Sequence, residues 1–131
     1  MSSSQPVEVA LALIWRDGCL LVTRRPQNVH LGGFWEFPGG KCLPGEAPEA
    51  CAEREALEEV GVRCRARDRR SPLRFTYPER SVVLYPIDCD YICGPPQALQ
   101  VAEWRWVPAA ELKDLSFPPA NQPLMDELAG F

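Results

Sequence analysis

Between Pro48 and Gly61 the chain has little choice but to be a helix, and that helix constrains everything around it. Glu49 to Val60 is rich in Ala, Glu, Leu and Arg, residues that lose little on entering a helix. Pro48 suits the first turn, where its missing N–H costs nothing. Gly61 suits the left-handed residue that ends a helix. At about 100° per residue, Glu55, Glu58 and Glu59 share one face, while Ala50, Ala56, Leu57 and Val60 fall on the opposite one. Three crowded carboxylates repel one another and call for a cation. Arg54 and Arg63 supply part of that charge, and hard oxygen ligands in this number suit Mg²⁺, with Mn²⁺ as the alternative ion. A solvated acidic face would look the same on the helix alone. The loop before it tips the balance, because Gly39-Gly40 lets backbone groups approach a metal or a phosphate closely.

The rest of the chain is mostly strand-like. Val7–Trp15 and Cys19–Thr23 are β-prone runs joined by Asp17-Gly18, a hairpin signal. Leu31–Gly45 is rich in glycine and aromatic residues. Further strands are predicted at Val62–Arg67, Leu73–Tyr77, Ser81–Cys93 (interrupted or bent near Pro86) and Trp104–Val107. A turn falls at Gly94-Pro95-Pro96, a short helix at Pro108–Asp114, a rigid loop at Phe117–Asn121 and a last helix at Pro123–Ala129. This order predicts an α+β chain in which a mixed β-sheet is sandwiched between helices, with residues 1–6 as a flexible tail and residues 7–131 as one domain.

Composition narrows the partners. With 131 residues and a net charge of −4, a broad basic footprint for a nucleic-acid polymer or an anionic membrane is not expected. A small anionic ligand remains compatible, since local cations can reverse the potential inside a pocket. No run reaches the roughly 20 apolar residues of a membrane span. Met1–Pro6 lacks the basic stretch of a secretory signal, so a cytoplasmic location is expected. The six cysteines are scattered with no C-x-x-C pair, and a single histidine cannot complete a zinc site with them. Mostly buried thiols are the expectation.

Gly40, Glu46 and Arg54-Glu55-Ala56-Leu57-Glu58-Glu59-Val60-Gly61-Val62 match G-x5-E-x7-R-E-U-x-E-E-x-G-U, where U is bulky and apolar. The only soft departure is the small Ala56. On this box the chain resembles the Nudix hydrolases. Thr23-Arg24-Arg25 with His30, then Trp35–Lys41, Tyr77-Pro78-Glu79-Arg80 and Phe117-Pro118-Pro119-Ala120-Asn121 are similar to the corresponding stretches of their MutT branch, which acts on oxidised guanine nucleotides such as 8-oxo-dGTP.

The resemblance implies a Nudix fold. It also implies metal-dependent hydrolysis of a nucleoside triphosphate to the monophosphate and pyrophosphate. Glu55, Glu58, Glu59 and the Gly39 carbonyl would hold the metal, with Arg54 and Glu46 supporting them; either Glu55 or Glu59 would take the proton from water. Arg25, His30, Glu36, Arg80 and Asn121 would bind the nucleotide. The asparagine offers both a donor and an acceptor to the O6 and N7–H edge of 8-oxoguanine. The two prolines before it would fix that amide. In this resemblance a further glutamate is expected on a loop after the box, but the region here reads Gln97-Ala98-Leu99-Gln100, with Glu103 the nearest carboxylate. Trp35, Trp104 and Trp106 are expected to pack in the core. Other readings are a Nudix enzyme acting on pyrimidine triphosphates or dinucleoside polyphosphates, and a non-catalytic nucleotide-binding domain. A monomer is the simplest assembly.

Overall fold

The computed structural model describes residues 5–29 and 32–128. His30 and Ala129 lie outside the described residues. β1 (Val7–Arg16) and β2 (Cys19–Arg24) form the expected hairpin. Both turn residues have positive φ, 52° at Asp17 and 78° at Gly18. That is the combination a two-residue turn needs to follow the right-handed twist of the strands.

The glycine- and aromatic-rich stretch contains two short strands, β3 (Trp35–Glu36) and β4 (Gly39–Lys41). Helix α1 (Pro48–Val60) follows and ends on Gly61, whose φ is 70°. After it come β5 (Arg63–Arg69), β6 (Leu73–Thr76), β7 (Ser81–Cys93) and β8 (Glu103–Pro108). The segment predicted as a short helix after β8 is a 3-10 helix, Ala109–Asp114. The rigid loop closes on another, Pro119–Asn121, and α2 runs Gln122–Leu128.

The sheet is mixed. β1 lies parallel to β7 from Val7↔Val82 to Trp15↔Asp90, and β4 runs antiparallel to β1 at Leu11↔Gly39. β2 pairs antiparallel with β3 and β8, while β5 and β6 both pair antiparallel with β7. Pro86 does not break β7. β6 pairs with β7 as far as Leu84 and β5 begins at Ile87. The proline therefore sits where the partner strand changes, and its missing N–H leaves no ladder bond unmade.

Alternation along β1 and β2 builds two cores. Ala10, Ala12, Ile14 and Leu21 face α1, against Cys51, Ala52, Ala56 and Val60. Leu13, Leu20 and Val22 face the other way, against Leu112, Leu124, Met125 and Leu128. Helices thus cover both faces, as predicted. On α1 the buried face differs from the expected one: Leu57 and Ala50 are exposed, and Cys51 and Ala52 take their places. A helix pressed this close to a sheet favours small side chains at the contact. Trp35 is buried, and Trp104 and Trp106 pack against the α1-side core. Among the described residues all six cysteines are free; Cys51, Cys64 and Cys89 are buried, Cys19 and Cys42 half-buried, and Cys93 exposed.

One polar knot ties the sheet to α2. Buried Asp88 accepts from Trp15 Nε1 at 2.8 Å and from Arg70 Nε at 2.9 Å, and Arg70 Nη1 reaches Glu127 at 3.2 Å. Asp88→Ala strands a half-buried indole N–H and loosens the arginine, so it should cost about 2–3 kcal/mol. Urea unfolding monitored by tryptophan fluorescence checks this; an unchanged midpoint would show that water replaces the carboxylate.

Candidate active site

α1 presents Glu55 and Glu59 one turn apart toward β4. The closeness is built on glycine. A Cβ at Gly40 would lie 2.6 Å from the Glu55 carboxyl carbon, and one at Gly39 would lie 2.2 Å from the Ala10 carbonyl oxygen. No other residue lets β4 rest on β1 while the Glu55 carboxylate rests on β4.

Glu59 carries a strongly perturbed carboxyl. Burial pushes it well above the usual carboxylate range, and a hydrogen bond and negative charge from Glu55, with further charge from Glu36, push it the same way; the Gly39 backbone N–H opposes them. Two carboxyls close enough to share a proton hold negative charge that only a proton or a cation can balance. Hard oxygens in that arrangement fit a divalent ion. The third carboxylate does not converge on the same point: Glu58 is exposed and pairs with Arg54 Nη1 at 3.2 Å. Among the described residues no three acidic, histidine or cysteine side chains form a ready-made metal cage.

Arg54 is the hub beside them. Its Nε and Nη2 donate to Glu46 at 2.8 and 2.9 Å, its Nη1 to Glu55 at 3.0 Å, and its Nη2 to the Lys41 carbonyl at 3.2 Å. Glu46 also accepts from the Leu43 amide at 2.9 Å. The Arg54 hydrogen bonds, then that amide, lower the Glu46 carboxyl to about 2.

Above Glu59 opens a cleft of about 350 Å³. Arg25, Glu36, Gly39, Gly40, Glu59 and Gln100 supply its polar lining; Val9, Leu11, Pro26, Val29, Phe37 and Val101 supply the apolar part. Arg25 Nη1 stands 3.4 Å from Glu36. Burial raises the Glu36 carboxyl, and Arg25 offsets part of the rise.

Arg25, Glu36, Gly39 and Glu59 thus meet in one cleft, with Glu55 adjoining. Arg80 lies elsewhere, exposed at the tip of the β6–β7 hairpin, where Tyr77 N–H donates to the Arg80 carbonyl at 2.7 Å. Asn121 is buried before α2 and outside the cleft lining, and among the described residues its side chain makes no hydrogen bond. Its segment is linked to the cleft through Phe117, whose ring centroid lies 5.3 Å from that of Phe37. Glu103 is turned to Arg24 at 3.0 Å, on the edge of β8. Sequence reasoning missed Gln100 as a lining residue. No spacing marks it, because a loop rather than a periodic element delivers it.

The sequence pattern of the NUDIX domain family matches residues 9–127. The chain belongs to this family. Its Nudix relatives include an Escherichia coli protein named 8-oxo-dGTP diphosphatase, 30% identical over 123 residues that make up 93% of this chain and 95% of that protein. Another E. coli relative, named CTP pyrophosphohydrolase, is 29% identical across 92% of this chain and 89% of its own length. Among solved structures, a MutT protein from Methanosarcina mazei superposes with a TM-score of 0.83 at 25% identity, covering 97% of this chain and 96% of the other. The resemblance carried by Gly40–Val62, the fold it implied and the expectation of an enzyme are borne out. Among the described residues no helix is long and apolar enough to cross a membrane.

Proposed function

We propose that this Nudix protein hydrolyses a nucleoside triphosphate to the monophosphate and pyrophosphate in a Mg²⁺-dependent reaction, with oxidised purine nucleotides such as 8-oxo-dGTP as preferred substrates. One observation carries the reading: the Glu55–Glu59 pair adjoins a cleft of about 350 Å³ that Arg25 also lines. Glu55, Glu59 and the Gly39 backbone would hold the ion, with Glu58 swinging from Arg54 to join them. Bound there, Mg²⁺ (or Mn²⁺) would neutralise phosphate charge and acidify a water. The chain's own groups do the rest. Arg25 pairs with the phosphates. The apolar walls hold the nucleoside and exclude water. Glu55 or Glu59 takes a proton from the water as its oxygen bonds to phosphorus and the P–O anhydride bond between the α- and β-phosphates breaks, giving the monophosphate and pyrophosphate. His30 and Arg80 would complete the nucleotide contacts, and the Asn121 amide would read the oxidised base edge.

The CTP-hydrolysing relative favours a second reading, a pyrimidine triphosphate as substrate. Turnover of 8-oxo-dGTP, dGTP and CTP, each with Mg²⁺ and with EDTA, separates the two. The expected result is a preference for 8-oxo-dGTP that EDTA abolishes. Asn121→Ala should reduce that preference by about 10–100-fold, the cost of leaving base-edge groups unpaired. Equal loss on oxidised and normal dGTP would remove Asn121 from base reading, and faster CTP hydrolysis would hand the site to the pyrimidine.

A further inference from the structure

The loop between β7 and β8 is fastened to the end of the carboxylate helix. The Gln97 N–H donates to the Val60 carbonyl at 2.9 Å, and the Leu99 and Gln100 N–H groups both donate to the Glu59 carbonyl, at 3.2 and 3.1 Å. Gly94 packs so tightly on Gly61 that a Cβ there would lie 2.5 Å from the Gly61 carbonyl oxygen. Beyond Gln100, Val101 packs against the α1-side core, and the Ala102 N–H donates to the Arg24 carbonyl at 2.9 Å. The backbone of Gln100 is therefore fixed on both sides. Its side chain is not: the residue is exposed and lines the same cleft as Glu59, and among the described residues its side chain makes no hydrogen bond.

The charges around it say what such a carboxamide is for. Among the described residues the cleft's charged side chains are Glu36, Glu59 and one arginine, Arg25, which already faces Glu36. A phosphate chain entering on the Glu59 side meets carboxylates and needs a donor that adds no negative charge. Glutamine supplies an NH₂ group there, and its anchored backbone keeps the ordering cost low.

We propose that Gln100 is a substrate-contacting residue, whose carboxamide donates a hydrogen bond to the phosphate chain of the bound nucleotide beside Glu59. This rests on the triphosphate reading given above. It makes Gln100 a residue of substrate affinity rather than of proton transfer.

The test compares Gln100→Ala and Gln100→Glu with the wild type, and with Gln97→Ala as a neighbouring control on the same loop. Two measurements are made: steady-state kinetics on 8-oxo-dGTP and dGTP, and calorimetric binding of a dGTP analogue whose α,β-bridging oxygen is replaced by methylene. Gln100→Ala should raise KM and weaken analogue binding about tenfold, the loss of one hydrogen bond to a charged group, with kcat little changed. Gln100→Glu should weaken both further, by setting a third carboxylate against the phosphates. Gln97→Ala should match the wild type, and melting temperatures should agree because the loop is held by backbone bonds.

Unchanged KM and binding in Gln100→Ala would overturn the proposal. So would a Gln100→Glu variant that binds nucleotide more tightly or turns over faster, which would make the position a place for a metal-directed carboxylate. If the wild type binds the analogue but hydrolyses none of the triphosphates, the hydrolytic reading fails while the binding comparison still judges Gln100. If the wild type does not bind the analogue, both fall.

Discussion

Glu59→Gln is expected to lower kcat by about 10²–10³-fold, the usual cost of removing one group that stabilises charge in a transition state. The amide keeps the shape of the side chain, and its oxygen can still accept from the Gly39 N–H. It loses the charge that faces the phosphates and the ability to take a proton. Nucleotide binding should survive within a few-fold, because Arg25 and the apolar walls are untouched. Steady-state kinetics beside analogue binding check this. A variant within tenfold of wild-type turnover would move the chemistry to another carboxylate.

The same substitution should stabilise the protein in EDTA. The folded-state carboxyl of Glu59 titrates well above its unfolded value near 4.5, so between those values the native state binds more protons than the unfolded one. Stability is then full below about pH 4.5 and falls as pH rises toward the folded-state value. Melting temperature in EDTA should decline from pH 5 to pH 8 in the wild type and decline less in Glu59→Gln. Mg²⁺ should raise the wild-type melting temperature more than the variant's. Parallel pH slopes would mean that Glu59 is not the strained carboxyl.

The elements legible in the sequence are those with a local cause. Asp17-Gly18 dictates its own hairpin turn, and Pro48 and Gly61 bracket α1 through backbone preferences that need no partner. The box residues were legible because helical spacing sets Glu55 and Glu59 side by side wherever the helix lies. What escaped depends on contacts distant in sequence. β3 and β4 are too short to show any alternation, and they exist because β1 and β2 offer edges to pair with. The exposure of Leu57 and burial of Cys51 follow from how α1 sits on the sheet, which its own periodicity does not fix. Gln100 reaches the cleft through a loop whose backbone bonds run to Glu59 and, from Gln97, to Val60, and the exposed Glu58 pairs with Arg54.

Arg54 is the other position where one change should be severe. Its guanidinium meets Glu46, Glu55, Glu58 and the Lys41 carbonyl together, so it holds the β4–α1 loop and the carboxylate helix in one frame. Arg54→Ala should lower kcat about 10²-fold, the cost of displacing a site by about 1 Å. Arg54→Lys should rescue little of it, because an ammonium cannot replace a planar fork that engages Glu46 through two nitrogens. The acid side of the stability profile gives an independent reading. Glu46 titrates near 2 against an unfolded value of 4.5, so its contribution is present above about pH 4.5 and is lost as pH falls toward 2. Without Arg54 most of that depression goes, and the drop in melting temperature from pH 5 to pH 3 should be shallower in Arg54→Ala. Circular dichroism should show the helix retained, since α1 is capped by Gly61 and packed through Cys51, Ala52, Ala56 and Val60 rather than through Arg54. Intact helicity with lost turnover and a flattened acid slope would identify the arginine as the clamp of the site. Near-wild-type turnover in Arg54→Ala would show instead that Gly39 and Gly40 alone set the position of Glu55.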